Sequence, residues 1–495
     1  MKSSTRNTVT IVGAMHLLMK PILPSRAAGF RSAIGLVVGI LLPLSGLRGA
    51  PVEGAKLRLP EYRTVKLENG ITLLMLERHA LPLVSFDWIM KTGGSIGDPP
   101  GQEGLASLTA DLLRKGTESR TANQISEAFD FVGATWEASA GQDYASGSCE
   151  FVKKDLDLAL DLVSDLLMHP SFPAEEVGKL VEQAADGIKE EKAVPGEVIG
   201  RYYEQFLFGA HPYGRPAGGT ETTLQSLKRD DVLKFYAGHY APNELLLAAV
   251  GDFSAAELEA KMKANFGAWK SAPGNLPPLK EPVPVSGRRA LIVEKPDATQ
   301  TFFRFGNVGL AFANPDRVPV DVVNTLFGGR FTSMINRALR IESGLTYGAK
   351  SQFACKRVAG AFAVGSYTPN DKTERALDLA LEVLQKLHRD GISPDQLQSA
   401  KAYIKGLYGL SLETNDQLAG TLCKLEAYGL GRQYIDTYFD RIDAMTVADA
   451  KRVIEQYFPL KHLAFVFIGQ PTVIEPVARK LADKVESKPI TAPGF

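Results

Sequence analysis

Hydrophobic and polar positions follow the same order twice along the chain. Each half opens with a run rich in β-branched and aromatic residues, Leu81–Lys91 in the first and Thr301–Leu310 in the second. Further along, apolar residues recur at i, i+3/i+4 and i+7 over Leu158–Met168 and again over Ala376–Leu387. That spacing predicts an amphipathic helix in each half.

The same correspondence continues to the end of each half. Pro173 and Pro394, 221 residues apart, stand at the start of a predicted helix, where proline removes no hydrogen bond. A continuous apolar strand then ends at Gly251 in one half and at Gly469 in the other. The repeated order and spacing indicate a duplicated unit.

A proline-rich segment separates the two units. Residues 271–287 (SAPGNLPPLKEPVPVSG) contain five prolines and two glycines, the composition of a linker. The sequence therefore predicts an α+β fold with two homologous mixed helix/sheet domains, at 59–270 and 288–490. Neither half carries GxGxxG at its first strand–helix turn, which argues against a dinucleotide-binding fold.

The first fifty residues differ from the rest of the chain. They carry six Lys and Arg and no Asp or Glu, and they include the twelve-residue apolar run 33–44. Twelve residues are too few for a comfortable membrane span, which needs about 20. Residues 1–50 are predicted to be a signal peptide or an uncleaved N-terminal anchor, and the protein to be exported to the periplasm.

Charge and cysteine content exclude some classes of protein. The 495 residues hold 56 Lys and Arg against 56 Asp and Glu, so the formal net charge is zero. Without residues 1–50 the balance is 50 against 56, or −6, which offers no basic field for nucleic acid. Three isolated cysteines rule out a disulfide scaffold.

One predicted helix has the spacing of a metal site without the ligands. In residues 103–115 (EGLASLTADLLRK), Ser107, Ala110 and Asp111 stand at i, i+3 and i+4 and share the face opposite the leucine stripe. Two histidines and a glutamate at these positions could supply two metal ligands and a base. None of the three residues is of those types.

Four separate motifs carry a resemblance to a known family. They are GLASLTADLLRKGT (104–117), HPYGRPAGGT (211–220), FYAGHYAPNELLLAAVGDF (235–253) and FGGRFTSMINRALRIESGLTYG (327–348). In this order they resemble the pitrilysin/insulinase family of zinc metallopeptidases, the inverted zincins. The resemblance covers roughly residues 60–490 and implies a metallopeptidase-like half-chamber. In that family the N-terminal half carries H-x-x-E-H, whose histidines bind zinc and whose glutamate activates water.

The resemblance also implies that the zinc site is degenerate here. Ser107 and Asp111 stand at the two histidine positions, and Ala110 at the glutamate position. The third ligand, a glutamate in the family, aligns with Gly187, although Glu190 and Glu191 leave a slip of register open. Since catalytic zinc takes three protein ligands and an open position, we expect this chain to bind no metal cofactor of its own.

The second half keeps a different family feature. Arg340 and Tyr347 match an Arg and a Tyr, seven residues apart, that the family uses to orient the substrate backbone and stabilise the oxyanion; only Ile341 departs from the pattern. A positively charged guanidinium and a phenol are suited to that task. Without the resemblance, Arg340 would be a surface helix cation and Tyr347 an ordinary strand aromatic.

Three functions remain open at this point. The first is a non-catalytic subunit that pairs with a homologous, zinc-bearing H-x-x-E-H subunit and contributes Arg340 and Tyr347 to a site for peptide substrates. The second is a catalytically inactive peptide-binding or scaffold protein of the same fold. The third is hydrolysis by this chain alone through an unrecognised metal site, for which stoichiometric zinc would be the evidence.

Overall fold

The structure, a computed structural model, describes residues 58–272, 274, 276 and 278–495. The predicted signal peptide or anchor at 1–50 lies outside these residues. Within them, no helix is both long and apolar enough to cross a membrane.

A six-stranded mixed sheet forms the centre of the first half. Its spatial order is β1-β2-β6-β3-β5-β4; only the β2–β6 pair is parallel. The strands are β1 (Arg63–Lys66), β2 (Thr72–Glu77), β3 (Leu83–Met90), β4 (Glu137–Ala140), β5 (Ala145–Val152) and β6 (Leu245–Gly251). Strand β6 is buried along its whole length, as expected of a central strand.

The second half repeats this arrangement. Its order is β12-β7-β11-β8-β10-β9, and β7–β11 is parallel like its counterpart β2–β6. The two sheets differ in the outer strand, because β12 comes from the C-terminal end of the chain and pairs parallel with β7. The strands are β7 (Arg288–Glu294), β8 (Gln300–Val308), β9 (Ala349–Ala354), β10 (Ala361–Pro369), β11 (Leu463–Gly469) and β12 (Lys484–Pro489). The prediction of two mixed helix/sheet domains is confirmed.

Helices pack around both sheets. Those of the first half are α1 (Leu105–Leu112), α2 (Ala122–Val132), α3 (Leu156–Met168), α4 (Ala174–Ala193), α5 (Pro195–Phe208), α6 (Glu221–Ser226), α7 (Arg229–His239) and α8 (Ala255–Phe266). Those of the second half are α9 (Arg317–Asn324), α10 (Met334–Asn336), α11 (Thr373–Asp390), α12 (Pro394–Tyr408), α13 (Asn415–Ala427), α14 (Gln433–Asp436), α15 (Tyr438–Ala444), α16 (Val447–Tyr457) and α17 (Pro471–Leu481). Two π-helical turns, Thr325–Gly329 and Arg337–Glu342, flank α10.

The two halves exchange one helix each. Helix α5 packs on β8 and β11 of the second sheet, and α13 packs on β3 and β6 of the first. Tyr203 of α5 donates a hydrogen bond to the Phe362 carbonyl across 2.7 Å. Cys423 of α13 lies 3.3 Å from the Asp87 carbonyl. Each sheet is therefore covered on one face by a helix that the other half supplies.

Candidate functional site

Helix α1 is held at its start by a buried carboxylate. Asp98 accepts hydrogen bonds from the Gly104 and Ala106 amides, at 3.0 and 2.8 Å, so it caps two donors of the first turn. Burial raises the pKa of Asp98 to about 7, and the two amides and Arg215 oppose that rise. Gly104 itself has φ +97°, a left-handed conformation that favours glycine at this entry to the helix.

Helices α1 and α4 pack against each other and carry the four positions of the degenerate motif. Ser107 is half-buried, Ala110 is fully buried and Asp111 is accessible to solvent. Gly187 lies on the exposed face of α4, with open space where a side chain would begin. The four positions therefore lie on two neighbouring helices.

The residues at these positions do not fit a catalytic zinc ion. Ser107 and Asp111 offer one hydroxyl and one carboxylate, whereas Ala110 and Gly187 offer no donor atom. A slip of register would bring in Glu190 or Glu191, and Glu191 is held by Arg201 through contacts of 2.8 and 2.7 Å. Within the described residues, no group of three or more His, Cys, Asp or Glu side chains could hold a metal ion.

Asp111 has an altered acidity. Partial desolvation raises the pKa of its carboxyl group to about 6, and the charge of Lys115 opposes that rise. A single carboxyl group with this pKa could exchange a proton near neutral pH. It lacks the metal and the second catalytic group that peptide hydrolysis of the family type needs.

The second half brings Arg340 and Tyr347 into contact. Arg340 lies in the π-helical turn Arg337–Glu342, and its guanidinium carbon is 4.3 Å from the centroid of the Tyr347 ring. Between them Gly344 takes φ +63° and ends the helical turn, as its position in the sequence predicts. Tyr347 precedes β9 by two residues and is 73% exposed.

The two sets of predicted residues occupy different halves. Ser107, Ala110, Asp111 and Gly187 belong to the helices of the first half, and Arg340 and Tyr347 to the second. In the part of the chain that the structure describes, no hydrogen bond, ion pair or ring contact joins the two sets. The pair in the second half is thus separate from the degenerate motif.

Sequence reasoning missed three residues that shape these sites. Asp98 stands six and eight residues before the amides that it caps, outside the usual capping spacing. The ring centroid of Phe331 lies 4.8 Å from the guanidinium carbon of Arg340. Asn336 forms hydrogen bonds with the Phe331 carbonyl and the Ala349 amide. Phe331 and Asn336 both lie inside the motif 327–348. The sequence offered one signal for Phe331, an aromatic residue two positions after the Gly328-Gly329 pair.

Comparison with known proteins gives two family matches. The model described as insulinase (peptidase family M16) matches residues 86–221, and the model described as peptidase M16 inactive domain matches residues 226–404. A protein of Streptomyces coelicolor called an uncharacterized zinc protease is 30% identical over 370 residues, which are 73% of this chain and 79% of the relative. A protein of Bacillus subtilis with a similar description is 23% identical over 79% of this chain and 94% of the relative.

Solved structures show the same fold. A peptidase M16 inactive domain from Pseudomonas fluorescens superposes with a TM-score of 0.78 at 24% identity, covering 83% of this chain and 98% of that one. A protease from Helicobacter pylori gives a TM-score of 0.77 at 22% identity and covers 83% of this chain and all of that one. On the two family matches and the 30% identical relative, this chain belongs to the insulinase (peptidase M16) family.

Proposed function

We propose that this protein is the non-catalytic subunit of an exported M16-type zinc peptidase. It would pair with a homologous chain that carries H-x-x-E-H, and zinc would be bound by that partner. One observation carries the proposal: Arg340 and Tyr347 are held together at an exposed site, whereas the positions of the zinc motif lack the donors that zinc requires.

The chemistry of the pair is suited to a peptide backbone. The guanidinium of Arg340 makes no hydrogen bond or ion pair within the described residues, so its N–H donors are available to a substrate carbonyl. The hydroxyl group of Tyr347 can donate to the oxyanion that develops when the partner hydrolyses the peptide bond. In this arrangement Arg340 orients the substrate and Tyr347 stabilises the transition state, while the partner supplies the activated water.

The test is a peptidase assay on the reconstituted pair. The chain is mixed with a homologous H-x-x-E-H chain from the same organism, and the turnover of a fluorogenic peptide is measured. Arg340→Ala and Tyr347→Phe should each reduce kcat/KM at least about tenfold, the scale of one lost transition-state contact. Arg337→Ala is the matched control, because Arg337 is an exposed residue of the same π-helical turn that pairs with Glu342 at 2.9 Å.

Two outcomes would reject this function. The first is unchanged turnover in Arg340→Ala and Tyr347→Phe when both variants still bind the partner. The second is stoichiometric zinc in the purified chain alone, which would favour independent hydrolysis. Export is checked separately: the N-terminal sequence of the chain recovered from the periplasm should begin near residue 51 if the signal peptide is removed.

The second candidate is a peptide-binding or scaffold protein without any catalytic partner. The same lack of zinc donors favours it equally. It predicts a homodimer, or a stable complex that contains no H-x-x-E-H chain, and its assembly should not depend on Arg340. Purification of the native complex, followed by identification of its subunits, discriminates the two functions.

A further inference from the structure

We propose that Phe331 is a third residue of the Arg340/Tyr347 site and positions the guanidinium of Arg340. This inference rests on the proposed function only for its effect on turnover, because the contact itself belongs to this chain alone. Phe331 lies between the two π-helical turns, in the loop that precedes α10.

Two aromatic rings contact the same cation. The guanidinium carbon of Arg340 lies 4.8 Å from the centroid of Phe331 and 4.3 Å from that of Tyr347. Both distances are within the range of favourable cation–π contact. Phe331 is 60% exposed, so much of its ring faces solvent beside its contact with Arg340.

Nothing polar competes with the rings for this guanidinium. Among the described residues, no carboxylate or carbonyl oxygen accepts a hydrogen bond from the guanidinium of Arg340. Arg337, one turn earlier on the same helical segment, is instead bound by Glu342. The orientation of Arg340 therefore depends on aromatic contacts, which hold the planar group while leaving its N–H donors unused.

A buried amide fixes the two ring-bearing segments relative to each other. Asn336 donates from Nδ2 to the Phe331 carbonyl at 2.6 Å, and its Oδ1 accepts from the Ala349 amide at 3.1 Å. Because Asn336 is buried and both bonds run to backbone atoms, this side chain ties the Phe331 loop to the start of β9, just after Tyr347. Asn336 thus acts as a brace for the aromatic pair.

The arrangement also defines the class of ligand. The free N–H donors of Arg340 suit a backbone carbonyl, and the exposed surfaces of Phe331, Tyr347 and Ile341 suit an apolar side chain beside it. The geometry therefore favours an extended peptide with a large apolar residue next to the bound carbonyl. A strongly acidic or glycine-rich peptide would lose the apolar part of this contact.

The direct test measures the order of Arg340 in the isolated, full chain. The Nε–H resonance of Arg340 is assigned by its loss in Arg340→Lys, and its heteronuclear NOE is then compared between variants. We expect Phe331→Ala to make the side chain markedly more mobile and Phe331→Tyr to retain the order of the wild type. Phe131→Ala is the control, because Phe131 is 87% exposed on α2 and should leave the resonance unchanged.

The reconstituted peptidase provides the second measurement. Phe331→Ala should lower kcat/KM about threefold to tenfold, as expected from a lost cation–π contact and a less ordered Arg340, and Phe331→Tyr should restore it. Unchanged order of Arg340 in Phe331→Ala overturns the positioning role, whatever the activity. If the order is lost but Arg340→Ala has normal turnover, the proposed function fails while the positioning role stands.

Discussion

Asp87 is a carboxyl group in an environment that disfavours its charge. It lies half-buried on β3 beneath α13, and its buried Oδ2 has no hydrogen-bond partner among the described residues. An added Cβ at Gly420 of α13 would lie 3.3 Å from the other carboxylate oxygen, so the helix comes close at this point. Desolvation, then the charges of Asp416 and Glu150, raise its pKa to about 8.

This shift predicts a pH dependence of stability. The folded chain keeps the proton of Asp87 up to about pH 8, while the unfolded chain releases it near pH 4. The contribution of Asp87 to the free energy of unfolding should therefore fall as the pH rises from about 4 to 8 and level off above 8. In Asp87→Asn this decline should disappear, which thermal unfolding of both proteins across that range will show.

A matched variant separates this effect from that of other titrating groups. Asp416→Asn removes one neighbouring charge, so the pKa of Asp87 should drop and the decline should end at a lower pH. If the curves of Tm against pH are parallel for the wild type and Asp87→Asn, Asp87 does not carry its proton in the folded state.

At the scale of single elements, helix α1 shows what the sequence could and could not predict. The residue types at 107, 110 and 111 are sufficient to predict the lost zinc donors, because ligand chemistry depends on side-chain identity. The cap by Asp98 could not be predicted, because the loop of residues 98–104 must fold back before the carboxylate meets the amides. Similarly, Phe331 and Asn336 act through contacts that no spacing rule describes.

Restoring the motif on α1 and α4 tests the alignment of the third ligand. The fourfold variant Ser107→His, Ala110→Glu, Asp111→His and Gly187→Glu should retain one zinc ion per chain after dialysis. The variant without the last change should lose zinc, because Glu191 is engaged by Arg201. Gly187 lies inside α4 with open space where a Cβ would be, so a glutamate side chain is sterically tolerated there.

Metal analysis of the fourfold variant and of the variant without Gly187→Glu shows which residue is the third zinc ligand. Equal zinc retention without Gly187→Glu would mean that Glu190 or Glu191 supplies the third ligand, and the alignment through Gly187 would be wrong. Far-ultraviolet circular dichroism provides the control, since Ala110 is fully buried and its replacement could disturb α1.

At the scale of the whole molecule, the repeat could be predicted but the exchange of helices could not. Equivalent positions such as Pro173 and Pro394 follow from sequence spacing, and the two sheets confirm the duplication. The apolar faces of α5 and α13 predict only that these helices are buried. Periodicity carries no information on which of two similar sheets will cover them, so the cross-packing emerges only in three dimensions.

The exchange predicts that the linker is not what holds the two halves together. A protease site inserted beside Val283, which is 84% exposed, allows the linker to be cut in the folded protein. The cut halves should elute together in size-exclusion chromatography at micromolar concentration, because apolar contacts between them remain. Leu418 and Leu422 of α13 are buried with residues of the first sheet. Tyr203 of α5 is buried against the second sheet.

A variant of α13 supplies the discriminating control. A Cβ at Gly420 would already lie 3.3 Å from a carboxylate oxygen of Asp87. The ring of Gly420→Phe should therefore prevent α13 from packing against β3. The cut halves of this variant should separate, or associate far more weakly, while the wild-type halves stay together. Separation of the wild-type halves after the cut would show that the covalent linker, and not the exchanged helices, provides the association. If the cut halves stay together in both the wild type and Gly420→Phe, the association is instead due to α5 and its contacts with β8 and β11.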